Sequence, residues 1–109
     1  MRSSKMANIV IATGQTASPW RSDGVDGVLI TLTGASANPV VATTIETSID
    51  SGVTNVATYK QGTPLASVAV PAANESVDYF GLPAYRSWRL KIAGAQGSDM
   101  VWYASKQTA

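Results

Sequence analysis

The sequence contains neither cysteine nor histidine. The first absence removes disulfides, thiol nucleophiles and thiolate metal sites together, so stability has to come from packing, and cysteine usage reports no redox compartment. The second removes Ser-His-Asp and Cys-His relays and leaves Asp, Glu or Lys as the side-chain bases. Charge is scarce as well, at 14% of residues, and the eight basic side chains are scattered from Arg2 to Lys106 against seven acidic ones. The field that gathers phosphates does not build up from such a pattern, and nucleic acid is not expected as a partner. No apolar run approaches the roughly 20 residues that cross a bilayer. In "MRSSKMANIVIATG" basic residues precede an apolar run, but Ile9 to Ala12 is shorter than a signal-peptide core of about 7–15 residues. The expectation is therefore a protein without a membrane partner, made in a cytoplasm.

What is present is apolar and β-branched. Apolar residues make up 45% of 109 residues, enough for one compact domain that hides about two-thirds of its unfolded surface. The dominant period is two. In "VLITLT", Val28 to Thr33, Val28, Ile30 and Leu32 share a face; in "SWRLKIA", Ser87 to Ala93, Trp88, Leu90 and Ile92 face one way and Arg89 and Lys91 the other. These are half-buried strands. Thr43 to Ile49 alternates likewise, with Thr43, Ile45, Thr47 and Ile49 on one face and Glu46 and Ser48 opposite. Asn8 to Ala12, Asn55 to Tyr59, Leu65 to Val70, Ser76 to Phe80 and Met100 to Ser105 bring the expected total to about eight strands, punctuated by Gly, Pro and Asp clusters at sandwich-like spacing. The fold expected is all-β: a single antiparallel β-sandwich, jelly-roll or Ig-like, over residues 8–109, preceded by an extended arm over residues 1–7. "SWRLKIAGAQGSDMVWYAS" reads as a hairpin returning Trp88, Leu90 and Ile92 alongside Met100, Trp102 and Ala104, with Trp88 and Trp102 in the core.

Motifs for chemistry are few. "GASAN", Gly34 to Asn38, resembles a nucleophile elbow without its closing glycine and reads as a loop. No carboxylate pair recurs at a spacing that selects it for glycoside hydrolysis. "DGVDG", Asp23 to Gly27, and Asp50-Ser51-Gly52 place carboxylates in loops, but without the dense alternation of oxygen ligands that builds a calcium loop. Asp50-Ser51-Gly52 is expected to be a turn, with Asp50 capping backbone and Gly52 at positive φ. No catalytic residue, metal or cofactor is expected. What remains is surface: Trp20-Arg21 after Pro19, and Tyr79-Phe80 with Tyr85-Arg86 around a Gly-Leu-Pro turn. Aromatics and Arg are the types enriched at interface centres.

The order of "GVLITLTG", "TIETSIDSG" and "LPAYRSWRLKIAGAQGSDMVWYAS" over Gly27 to Ser105 resembles small β-sandwich virion structural proteins of tailed bacteriophages. Relatives of this pattern often carry a Trp shortly after the acidic turn, where Val53-Thr54-Asn55-Val56 stands here. The resemblance implies a non-enzymatic part of a virus particle: a capsid decoration or cement protein, or a tail or neck component. Its implied location is the virion and its implied partner the major capsid protein or another virion protein, engaged as a homo-oligomer with a trimer favoured. Met1, Arg2, Lys5 and Met6 of the arm and the Trp20-Arg21 loop are expected to face the capsid, and Tyr79, Phe80, Tyr85 and Arg86 a subunit interface. The alternative is a carbohydrate-binding or adhesion module, with Trp20 and Tyr85 stacking on sugar rings.

Overall fold

The structure is a computed structural model that describes residues 2–23, 29–61, 63–80 and 87–108; for Arg2, Ser3, Leu29, Tyr79, Phe80 and Thr108 it describes the backbone. Among the described residues ten strands follow in order: β1 (Arg2–Lys5), β2 (Ile9–Ile11), β3 (Leu29–Gly34), β4 (Thr43–Ser48), β5 (Val56–Thr58), β6 (Lys60–Gln61), β7 (Ala66–Ser67), β8 (Ser76–Phe80), β9 (Ser87–Ile92) and β10 (Met100–Thr108). No helix occurs among the described residues. The expected runs all contain strands. The two strands beyond the eight expected are β1, in the arm, and the two-residue β6, too short to show a period.

All strand pairs are antiparallel. The first sheet has the order β1-β10-β3-β8, with β2 also on β10. The second has the order β5-β4-β9, and β6 and β7 form a small hairpin. Residues 16–22 extend the second sheet beyond β9: Ile92 N–H donates to Thr16 O, Ser18 N–H to Leu90 O, and Arg21 and Trp88 exchange main-chain bonds. Of the residues expected as an arm, Arg2–Lys5 form β1, laid along β10 with Arg2 opposite Thr108 and Lys5 opposite Ser105. β2 continues this edge after a bulge. Met6, Ala7 and Asn8 stand across from Tyr103 and Ala104, because Ile9 already pairs with Trp102, and one extra residue on one strand bends it and raises its twist.

One expectation is overturned. β9 and β10 are not a hairpin: β9 pairs with β4 in the second sheet, while β10 is the centre of the first. Residues 93–99 carry the chain across the gap between sheets, so that Trp88, Leu90 and Ile92 and Met100, Trp102 and Ala104 belong to one buried cluster. Alternation states which side chains point inward, and an inward face is satisfied equally by a neighbour in the same sheet or by the opposite sheet. Ile45 joins from β4, Ile30 and Leu32 from β3, Ile9 and Ile11 from β2. Each such burial contributes about 1.5–3 kcal/mol before the entropy of ordering. The indole N–H of Trp102, which has no water to bond, donates to Pro71 O at 3.0 Å.

Candidate functional site

Three segments converge at one end of the sandwich: the β4–β5 turn, residues 20–23, and the start of β9. The turn is built around two side chains. Asp50 accepts from the Ser48 hydroxyl at 2.7 Å, from the Thr54 N–H at 3.1 Å and hydroxyl, and from the Asn55 amide at 3.2 Å. These bonds, first the hydroxyls of Thr54 and Ser48, hold its carboxyl well below the usual carboxylate range. Ser48 Oγ in turn accepts from Gly52 N–H at 2.8 Å and Asp50 N–H at 3.2 Å. The chain passes through left-handed backbone at Ser51 and Gly52, with φ of 56° and 86°. A side chain at Gly52 would also meet the Trp20 indole, whose Nε1 lies 2.5 Å from where a Cβ would stand. The expected Asp50-Ser51-Gly52 turn is thus present, and the Asp50 oxygens are taken up by its own loop.

Trp20 spreads over the outer face of the second sheet. Beneath it Glu46 and Arg89 are cross-strand partners, joined by Arg89 Nε and Nη2 to Glu46 Oε1 at 2.8 Å each. The Arg89 guanidinium lies 4.4 Å from the Trp20 ring centroid, an ion pair capped by a cation–π contact. Arg21 points the other way. It pairs with Asp23, donates Nη1 to Ala7 O at 2.8 Å and lies 5.1 Å from the Trp88 ring centroid. Since Ala7 belongs to the bulge of the first sheet and Trp88 to the second, Arg21 ties the two sheets together at their open side. Burial raises the Asp23 carboxyl, but the hydrogen bond and charge of Arg21, with the Trp88 indole N–H at 3.2 Å, outweigh it and leave it lowered.

Between β2 and residues 17–23 runs an open groove of about 920 Å³. Ile9, Val10, Ala17 and Pro19 give it an apolar wall, with Asn8, Gln15 and Trp20 at its margins. The alternation of the ladder turns the main-chain groups of Val10 away from β10, because Val101 spends its own on Ala35 and the Asn38 side chain. This edge of β2, which no strand pairs with among the described residues, lines one side.

The expected site residues separate. Trp20 and Arg21 sit together at the convergence, but both are engaged within the chain, and Arg21 keeps only 14% of its side chain exposed. Lys5 is exposed on β1, whereas the Met6 side chain, expected to face a partner, is turned into the core cluster. Arg2 lies on β1, and Tyr79 and Phe80 on β8, an edge strand. Met1, Tyr85 and Arg86 lie outside the described residues. Ile49, expected inward beside Ile45, is 65% exposed because the strand ends at Ser48. With Val53, 78% exposed, and Val56 at the start of β5, it places three branched apolar side chains in and beside one turn. Sequence reading missed Ser48 and Asn38, both buried. A polar residue opposite a core face reads as solvent-facing unless the local turn is known to recruit it.

This arrangement offers rigid apolar projections and sheet edges. Among the described residues no three acidic side chains converge, and no helix is long and apolar enough to cross a membrane. No family model, curated protein or solved structure matches the chain.

Proposed function

We propose that the chain is a structural protein of a bacteriophage virion, in the first place a capsid decoration or cement protein that bridges capsid subunits. One observation carries the reading most: Ile49 and Val53 are exposed on a turn that Asp50 and Ser48 lock with hydrogen bonds, and Val56 is exposed beside it at the start of β5. Apolar side chains exposed on a mobile loop would lose entropy on docking; here that entropy is already spent in folding, so the burial they gain on contact appears as affinity. The resemblance to phage virion proteins supports the same reading through its first motif, since "TIETSIDSG" is β4 with this turn; its second motif departs from the pattern, since "WRLKIAGAQGSDMVW" passes from one sheet to the other and does not form a hairpin. Clamping is the mechanism. Each copy adds weak contacts across a subunit junction, and opening the shell has to break many of them together.

The test uses particles that lack the protein. Purified protein is expected to bind them and raise the temperature at which they release DNA, and Val53→Asp with Ile49→Asp to abolish both effects while the fold is retained. Particles indifferent to its presence would refute the proposal. A tail or neck component would instead show binding to tails and none to heads. The glycan-binding alternative draws on Trp20 at the groove margin, and predicts a glycan-array signal lost in Trp20→Ala.

A further inference from the structure

The first sheet has two edges with no strand beside them among the described residues: the outer side of β1 and the outer side of β8. The phase of each ladder follows from bonds that bracket it. Met6 N–H donates to Ala104 O at 2.9 Å, and β1 pairs Ser4 with Lys106 and Lys5 with Ser105. Alternation then directs the main-chain groups of Ser4 to β10 and those of Ser3 and Lys5 outward. At the other edge Gly34 N–H donates to Glu75 O at 3.0 Å, and Leu32 pairs with Val77 and Thr31 with Asp78. Val77 therefore bonds to β3, and Ser76 and Asp78 present their main-chain groups outward.

Side-chain faces share this parity. Asp78 lies on the face away from the core, where it accepts from the Thr31 hydroxyl at 2.6 Å; Lys5, next to the buried Met6, lies on the same face of the sheet at its opposite edge. Val77 stands beside buried Leu32 on the core side, yet is 37% exposed, which is what an inward residue shows when no further strand covers it.

The two edges differ in charge. Arg2 and Lys5, with Lys106 on the adjoining strand, make one positive; Glu75 and Asp78 make the other negative. Pairing either edge with itself would gather like charges in one ladder, which is destabilising, while pairing unlike edges sets opposite charges across from each other. Direction permits it. Along β1-β10-β3-β8 every neighbour is antiparallel, so β1 and β8 run oppositely, and a copy rotated about an axis along the strands presents its β1 antiparallel to β8. We propose that copies of this chain assemble head to tail, β1 of one adding to β8 of the next, with Lys5 directly opposite Asp78 and Met6 opposite Val77 of the neighbouring copy. Such a heterologous contact makes a closed ring when its rotation divides a full turn. The bulge at Ala7 and Asn8 bends the edge away and ends the contact after Met6. This inference deepens the homo-oligomer of the function proposed above, but it is tested on purified protein alone, so its failure and a failure to bind particles are read separately.

A chain without cysteine allows a direct test. Residues directly opposite in a hydrogen-bonded antiparallel pair have Cα atoms about 5.5 Å apart, within the span a disulfide bridges, about 4.4–6.8 Å. The oxidised Lys5→Cys/Asp78→Cys double variant is expected to run as a covalent oligomer on a denaturing gel and to collapse to one chain on reduction, whereas each single variant stays one chain. A double variant that does not cross-link, or a Lys5→Cys single that cross-links to itself, overturns the proposal. As a check on variants that fold poorly, Lys5→Glu and Asp78→Lys are each expected to weaken self-association about tenfold per contact by sedimentation, and the two together to restore it. Wild-type protein that sediments as a monomer, or a double variant no better than the singles, overturns it equally.

Discussion

Asp50 and Ser48 show how single polar side chains fix the shape of this molecule. Together they satisfy four main-chain N–H groups of the turn, those of Asp50, Gly52, Thr54 and Asn55, which no strand partner could reach. Asp99 works in the same way on a smaller scale, accepting from the N–H and hydroxyl of Thr13, bonds that also lower its carboxyl. Asp23, Asp50 and Asp99 all have folded-state values below the ordinary 3.8. Their contribution to stability is fully present above the unfolded value and is lost as pH falls through the folded ones. Melting temperature is therefore expected to be level with respect to these groups from pH 8 to about pH 5 and to fall below about pH 4. Asp50→Asn should flatten that acid decline, and an unchanged slope would mean that the carboxylate does not hold the turn. Gly52→Ala meets both a left-handed φ and the Trp20 indole, and is expected to cost more than about 1 kcal/mol in denaturant unfolding.

At the scale of elements, the sequence made the strands readable and left their partners open. Val28 to Thr33 and Ser87 to Ala93 alternate strongly enough to place β3 and β9 within a residue or two, because one face of each is buried completely. β6 carries no such pattern, and its two exposed residues could not announce a strand. The β9–β10 crossing escaped reading for another reason. A Gly-bearing connection between two runs with inward Trp residues has the same appearance whether it folds back in one sheet or passes to the other. The turn around Asp50 was readable from Asp and Gly, whereas its apolar display was not, since Ile49 continues the alternation of β4 in sequence but lies beyond its last ladder pair. The three Trp residues now separate by role. Trp88→Ala and Trp102→Ala remove buried rings and are each expected to cost about 3–5 kcal/mol. Trp20→Ala, on the outer face, should cost clearly less in the same unfolding measurement; equal losses would show that the Arg89 stack is as important as the core.

Across the whole molecule one apolar cluster fills the core with a few buried polar side chains beside it, Asn38 and Ser48 among them, while Ile49, Val53 and Val56 are exposed at one tip and, among the described residues, the outer sides of β1 and β8 have no strand beside them. A sheet edge without a neighbouring strand is a template for adding strands. Of the residues picked out from sequence, Lys5 is exposed, while Arg21 and Met6 pack within the fold itself. The most direct test of the virion reading is a cryo-electron map of tailed-phage particles produced from the genome that encodes this chain. The map is expected to show β-sandwiches of this shape seated in symmetric groups over junctions between capsid subunits, tips inward. Particles complete without it, with no such density on head, neck or tail, would contradict that reading.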